Sequence, residues 1–309
     1  MRTRPYHMNN LNVVVALTTR DNDYQAEQAA AVAEMAARLG IKIEVIYADN
    51  DAVHQTQQLI KIIQSDKRPT AILVEPVGTG MPQVAKAAVA AKIGWGIINC
   101  EPDYLTELRR TGNVPVFSIS TDQMEVGRIQ GSQIGALVQQ GNILYIEGPA
   151  STMAAQHRTK GMMTTKPSAV MLKTLKGDWT ERSALRAVQS WLSLASSRQL
   201  HIQAIICQND AMAMGARKAM GDLTEEDREK WQKLPFTGVD GVTKTGQEWV
   251  KRGMLQATII TAPAAGTALE LLAKAVYSGS PPPERTLLPP KSFPSVAELQ
   301  KKRSAAGSS

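Results

Sequence analysis

AIICQNDAMAMGA, residues 204–216, joins two kinds of pattern. Ala204 to Cys207 are apolar and partly β-branched, which reads as a strand buried on both faces. The run stops at Gln208, Asn209 and Asp210, and small residues at helical spacing follow at once. One Asp in such a place is explained by helix capping, because its carboxylate accepts from the first free backbone N–H groups. Capping by Asp210 leaves Gln208 and Asn209 unexplained. What they are for depends on how the other strands end.

Short apolar runs recur at 12–17, 42–48, 70–76, 96–99 and 116–120, with a second series at 142–148, 170–175, 203–209, 236–240 and 256–261. Helical patterns lie between them, at 24–39, 53–65, 81–92, 123–140, 152–165, 181–196, 211–220, 243–252 and 264–278. Apolar strands alternating with amphipathic helices predict an α/β fold with parallel sheets covered on both faces. Ten strands suit two sheets better than one.

Composition excludes several classes. A length of 309 residues suits two domains of ordinary size, or one large one, with ample core. Its 43% hydrophobic and 20% charged content is that of a globular chain, not a disordered one. No apolar run approaches the roughly 18 residues of a membrane-spanning helix. Cys100 and Cys207 sit in or at the end of strand-like runs without CxxC spacing, so buried free thiols are expected and a disulfide framework is not. The formal charge of +7 is dispersed, apart from Lys301, Lys302 and Arg303 in a polar tail. Aromatics are not interleaved with basic strand residues, so a solvated positive surface is expected and no nucleic-acid partner. The start, MRTRPYHMNNLN, has no apolar stretch, and no secretory leader is visible in it.

Enzyme motifs are missing. There is no GxSxG, HExxH or GxxxxGK[ST], and the GWG at 94–96 lacks the spacing of a dinucleotide loop. Asp21 and Asp23 have no evident nucleophile or base partner, and His54, His157 and His201 are scattered. No catalytic activity, cofactor or metal is expected.

Polar residues do recur where strands end. After VVVALTT come Asp21, Asn22, Asp23 and Tyr24; after AILV comes Glu75; after GII come Asn99, Cys100 and Glu101. Arg158 follows the strand LYIEG, and Asp240 ends FTGVD. In open parallel sheets, ligands bind outside the carboxyl ends of the strands. The Gln208–Asp210 triplet is therefore expected to form one wall of a polar site.

This constellation resembles the type I periplasmic sugar-binding proteins of the ribose-binding kind, which are related to the effector domains of lactose-repressor-like regulators. The resemblance covers about residues 11 to 290 and is carried by AIICQNDAMAMGA, FTGVDG (236–241), GMLQATI (253–259) and AAQHRTKGM (154–162). It implies two Rossmann-like lobes with parallel sheets, joined by a three-segment hinge, with one sugar bound between them. The N-terminal lobe is expected to comprise residues 11–120 with 262–288, and the C-terminal lobe 121–261 with 289–309. Carried over residue by residue, the resemblance places Asn22 and Tyr24 against the ligand, Tyr24 stacking on a ring and Asn22 meeting hydroxyls. It puts Arg158 on sugar oxygens, where a guanidinium can offer two N–H donors. Trp179, in KGDWTERSA, covers the other ring face, while Asn209 and Asp240 bind hydroxyls.

Three further positions line the implied site and depart from the family pattern. Asn99-Cys100 stands where an Asp-Arg pair is usual, Glu75 where Asn is common, and Thr261 where Gln is common. These departures bear on which hydroxyls are read, so the sugar's identity does not carry over. The resemblance implies a monomeric receptor for a small sugar or polyol, periplasmic and in transient contact with the membrane permease of an ABC importer. The alternative is a signal-less intracellular sugar sensor or regulatory effector module. A repressor is not expected, because the first core strand begins by residue 12 and a helix-turn-helix domain would precede it.

Overall fold

The computed structural model describes residues 11–79, 81–198, 200–219 and 223–306. The leader-free reading of residues 1–10, the predicted helix end at Met220 and the last three tail residues lie outside that range. The chain divides into two compact units, Met1–Thr121 with Pro263–Leu288 and Asp122–Ala262 with Pro289–Ser309.

The chain first runs through β1 (Asn12–Leu17), α1 (Asp23–Leu39), β2 (Lys42–Tyr47), α2 (Ala52–Gln64), β3 (Ala71–Val74), α3 (Pro82–Ala90), β4 (Gly94–Ile98), α4 (Leu105–Thr111) and β5 (Val116–Thr121). The second unit opens with α5 (Gln123–Leu137), β6 (Gly141–Glu147), α6 (Met153–Thr165), β7 (Val170–Lys176), α7 (Glu181–Leu192), α8 (Ala195–Arg198) and β8 (Ile202–Cys207). It continues through α9 (Asp210–Lys218), α10 (Glu225–Lys233), β9 (Phe236–Thr237), α11 (Gly246–Lys251) and β10 (Thr258–Ile260). Then α12 (Ala264–Ser278) and β11 (Arg285–Leu288) return to the first unit, and β12 (Lys291–Phe293) and α13 (Val296–Ala306) to the second.

In the first unit six parallel strands are ordered β2-β1-β3-β4-β5-β11. AILV of β3 and GWGII of β4 are buried on both faces, which is why they read as unbroken apolar runs. Val13, Val15, Leu17 and Leu73 pack with Val32 and Ala36 of α1 and Leu269 and Leu272 of α12. Each valine and leucine among them contributes about 1.5–3 kcal/mol on burial. Gly40, at φ 68, ends α1 in the left-handed conformation that a side chain would resist. The chain moves from β1 to β2 on one side and to β3 on the other, so a crevice opens at the carboxyl ends of β1 and β3.

The second unit repeats the plan as β7-β6-β8-β9, all parallel. Single parallel bridges, Thr237 to Ala257 and Asp240 to Ile260, attach β10, and β12 pairs antiparallel with β10. Leu144, Ile205, Val188 and Trp231 form the core on one face, and Tyr145, Ile206, Ile134 and Met162 on the other. On that second face α5 and α6 touch backbone to backbone. A Cβ on Gly127 would collide with the Arg158 carbonyl, and one on Gly161 with that of Met124. This close crossing sets Arg158 beside the start of α5.

Three sequence expectations change. The predicted strand 236–240 is regular only at Phe236–Thr237 and continues as the bridge at Asp240. The segments read as connections contain α4, α10, β11 and β12. The polar tail is helix α13, whose Leu299 packs with Ala136 and Ala257 while Arg303 donates to the Gly135 carbonyl (2.9 Å).

Candidate ligand-binding site

In the first unit the expected residues sit around the β1–β3 crevice and the neighbouring end of β4. Asn22 is the N-cap of α1, and its Oδ1 accepts from the Gln25 N–H (2.9 Å). Tyr24 lies in the first turn, 8% exposed. Its hydroxyl accepts from Gln28 Nε2 (3.1 Å) and meets the Asn99 amide, with Nδ2 at 3.1 Å and Oδ1 at 3.3 Å. Gln28 Oε1 in turn accepts from the Ala265 N–H (2.8 Å), tying this wall to α12. Asn99 adopts φ 55, a left-handed conformation that asparagine tolerates better than most residues. Glu75 is half-buried directly after β3, and its backbone N–H donates to the Ala16 carbonyl (2.9 Å). Next to Asn99, burial pushes the Cys100 thiol up to about 12, with the negative fields of Glu101 and Glu75 adding to it.

In the second unit the five expected residues form two groups, Arg158, Trp179 and Asn209 in one and Asp240 with Thr261 in the other. Arg158, 6% exposed, donates Nε–H to Gln123 Oε1 (2.7 Å) and Nη1–H to the Gln208 carbonyl. Its guanidinium carbon lies 5.5 Å from the centroid of the Trp179 ring, within reach of a cation–π attraction. Asn209 Nδ2 donates to the Trp179 carbonyl (2.9 Å). Asp240 is buried at the end of the β9 segment, and its carbonyl accepts from the Thr261 N–H (3.1 Å). The Thr261 hydroxyl lies 3.5 Å from that same carbonyl.

Gln208, Asn209 and Asp210 take three different roles. Gln208 is fully buried: the two N–H groups of Nε2 face Tyr145 Oη (2.8 Å), the Ala155 carbonyl (3.0 Å) and Thr159 Oγ1 (2.9 Å), and Oε1 accepts from Gly148 N–H (2.9 Å). It is a core strut between β6, β8 and α6. The cap of α9 is Asn209, not Asp210: its backbone is extended at φ -151, and its Oδ1 accepts from the Met212 N–H (2.8 Å). Asp210, one residue later, turns its carboxylate to Thr258 Oγ1 (2.7 and 2.9 Å) and the Gly241 N–H (2.8 Å).

Sequence reasoning missed Gln123 and Thr258. They meet Arg158 and Asp210 across 35 and 48 residues, and no local pattern connects such pairs. The Asp122 cap just before Gln123 was the nearest signal, since it marks the start of α5. Among the described residues no group of three or more His, Cys, Asp or Glu is placed to hold a metal ion.

The arrangement can present a stacked indole and guanidinium, one asparagine amide and one carboxylate to a neutral polyhydroxylated molecule. The chain belongs to the periplasmic binding protein domain family, which it matches over residues 13–279. It is 27% identical over 276 residues to the D-allose-binding periplasmic protein of Escherichia coli, covering 86% of this chain and 84% of that one. It is 26% identical over 294 residues to a D-apiose import binding protein of Paraburkholderia graminis, covering 90% and 85%. The fold is that of type I periplasmic binding proteins. An ABC transporter solute-binding protein from Actinobacillus succinogenes, solved with bound D-allose, superposes with a TM-score of 0.77 at 19% identity, over 94% of this chain and 99% of that one.

Proposed function

We propose that this protein binds a small sugar or polyol as the solute receptor of an ABC importer. The observation that carries the reading is the pair of groups in the second unit, Arg158, Trp179 and Asn209 in one and Asp240 in the other, on segments that follow the carboxyl ends of parallel strands. Its mixture of an aromatic face, a charged fork and a carboxylate is what a ring with apolar faces and hydroxyl edges requires. In the first unit Asn22, Tyr24, Glu75 and Asn99 offer further polar and aromatic groups at strand ends, and in the second Thr261 accompanies Asp240. The Tyr24 hydroxyl, held by Gln28 and Asn99, gives that wall a fixed polar edge. The relatives' names, one periplasmic and one an import binding protein, support a periplasmic setting and a role in import, for which a membrane permease is the proposed partner. The receptor acts as a monomer without catalysis, closing by a hinge at the chain crossings near 121/122, 262/263 and 288/289.

A thermal-shift and calorimetric panel of D-allose, D-ribose, D-apiose, xylitol and myo-inositol tests this. At a hundred times its dissociation constant a ligand adds about 2.7 kcal/mol to stability, a shift such assays resolve. Binding without a change in the recovered compound by mass spectrometry, with compaction in small-angle scattering, is the expected result. A panel with no binder, or a converted ligand, overturns the proposal.

A further inference from the structure

We infer that Asp210 is a positioning residue for Asp240, clamping the two peptide groups that flank it so that the Asp240 carboxylate is presented in an otherwise disfavoured backbone shape. This rests on the reading of Asp240 as a ligand-binding residue. Asp240 has φ 112, a region left almost entirely to glycine. Something outside the residue must therefore hold it. The Asp210 N–H donates to the Val239 carbonyl (2.7 Å), and the Gly241 N–H donates to Asp210 Oδ2 (2.8 Å). One residue thus grips the chain immediately before and immediately after Asp240.

The grip is itself anchored. Thr258 Oγ1, on β10, donates to the same carboxylate, and β10 also receives the Asp240 N–H at the Ile259 carbonyl (2.9 Å). Asp210 is 4% exposed, and glycines make its space. A Cβ on Gly238 would collide with Oδ1, and one on Gly246 with Oδ2. A carboxylate suits the task because it accepts from a backbone N–H and a hydroxyl at once. An N-cap would need neither Thr258 nor the glycine cradle.

The test separates the clamp from the ligand reading. In ligand-free protein, Asp240→Gly and Asp240→Ala both remove the carboxylate and differ mainly in backbone freedom. Asp240→Gly should melt about 2–4 °C above Asp240→Ala, the reverse of glycine's usual penalty. In an Asp210→Ala background that gap should fall by at least half. Asp210→Asn, which keeps an acceptor for Gly241, should preserve it. Gly246→Ala displaces Oδ2 without replacing Asp210 and serves if Asp210→Ala does not fold; it too should narrow the gap. Calorimetry with D-allose, or with whichever panel sugar binds tightest, should show at least tenfold weaker binding for Gly246→Ala. A gap that survives both Asp210→Ala and Gly246→Ala overturns the inference. A gap that closes while affinity stays at the wild-type value upholds the clamp and removes Asp240 from the binding site.

Discussion

Gly148→Ala asks whether Trp179 belongs to the binding surface without altering any residue placed in that surface. Gly148 follows β6, and a Cβ there would lie within 2.6 Å of Trp179 Cζ3 and closer still to Cζ2 and Cη2. Carbon atoms in contact ordinarily stand about 3.5–4.0 Å apart, so the indole must retreat by roughly 1 Å or more. Gly148 is not among the positive-φ glycines, and alanine fits its backbone. The Trp179 backbone is held by Asn209 Nδ2 on its carbonyl (2.9 Å), so the ring must yield by rotation about its side-chain bonds. Rotation takes it from the Arg158 guanidinium, now 5.5 Å from its centroid. A desolvated cation–π contact is worth up to about 2 kcal/mol and aromatic stacking about 0.5–1.5 kcal/mol. Loss of stacking on a ligand ring corresponds to about two- to tenfold in dissociation constant, while the cation–π contact, present without ligand, is read in the melting curve. The fold should survive, because replacing Gly with Ala in an allowed conformation restricts the unfolded chain by about 0.4–1 kcal/mol and offsets part of the strain. Calorimetry with the best panel sugar, beside a melting curve, reads both effects. Wild-type affinity in a folded Gly148→Ala protein would show that the indole does not contact ligand.

Other expectations are briefer. Asp240→Ala and Arg158→Ala should each weaken binding by roughly ten- to a hundredfold or more, since a hydrogen bond to a charged group contributes about 1.5–3 kcal/mol; calorimetry with unchanged constants would refute the site. Trp179→Phe should lose less, and Lys244→Ala, on the loop beyond Asp240, should change affinity little. Gln123→Leu removes the acceptor of Arg158 Nε and should cost about 1–3 kcal/mol of stability, read in denaturant melts, while weakening binding less than Arg158→Ala does. Cys100 and Cys207 should be silent toward a thiol reagent at pH 8 until the protein unfolds, because both thiols are buried and burial raises their pKa. Below pH 9 native and unfolded chains both keep the Cys100 proton; from the ordinary 9.0 up to about 12 only the native chain does, so its contribution to stability falls as pH rises through that window.

Much of the scaffold was legible because parallel strands buried on both faces must be written as apolar runs. The segment AILV could hardly be anything else. Helix α10, EEDREKWQK, was invisible for the converse reason: only Trp231 is buried, so no apolar stripe marks it. Helix α13 was hidden likewise, with Leu299 its main anchor and basic residues around it. The position of the polar wall was legible from strand ends, but the division of labour inside it was not. Gln208, Asn209 and Asp210 are adjacent and chemically alike in sequence. They point to Tyr145, Trp179 and Thr258, partners brought near only by the sheet. Spacing can locate an edge of a sheet, whereas it cannot say which of three neighbours is spent on structure.

Backbone strain supplies what spacing could not. Seven non-glycine residues among those described have positive φ: Asp49, Asn50, Met81, Lys92, Asn99, Trp179 and Asp240. All but Lys92 lie in segments that follow the carboxyl ends of strands, the edge where this topology binds ligands. Asn and Asp near φ 50–60 are tolerated for local reasons, and Asp49, Asn50 and Asn99 need no more than that. Trp179 at φ 73 and Asp240 at φ 112 have no such excuse: one is bulky, and the other lies beyond the left-handed helical region. Conformations of this sort cost on the order of 1–3 kcal/mol each and persist only where the surroundings over-determine them. Here the determinants are visible, Asn209 on the Trp179 carbonyl and Asp210 on both sides of Asp240. A core needing only stability would have put glycine at 240, as it did at 238, 241 and 246 around it. Retaining a carboxylate there, against its backbone preference, makes sense if the carboxylate has a task outside the fold.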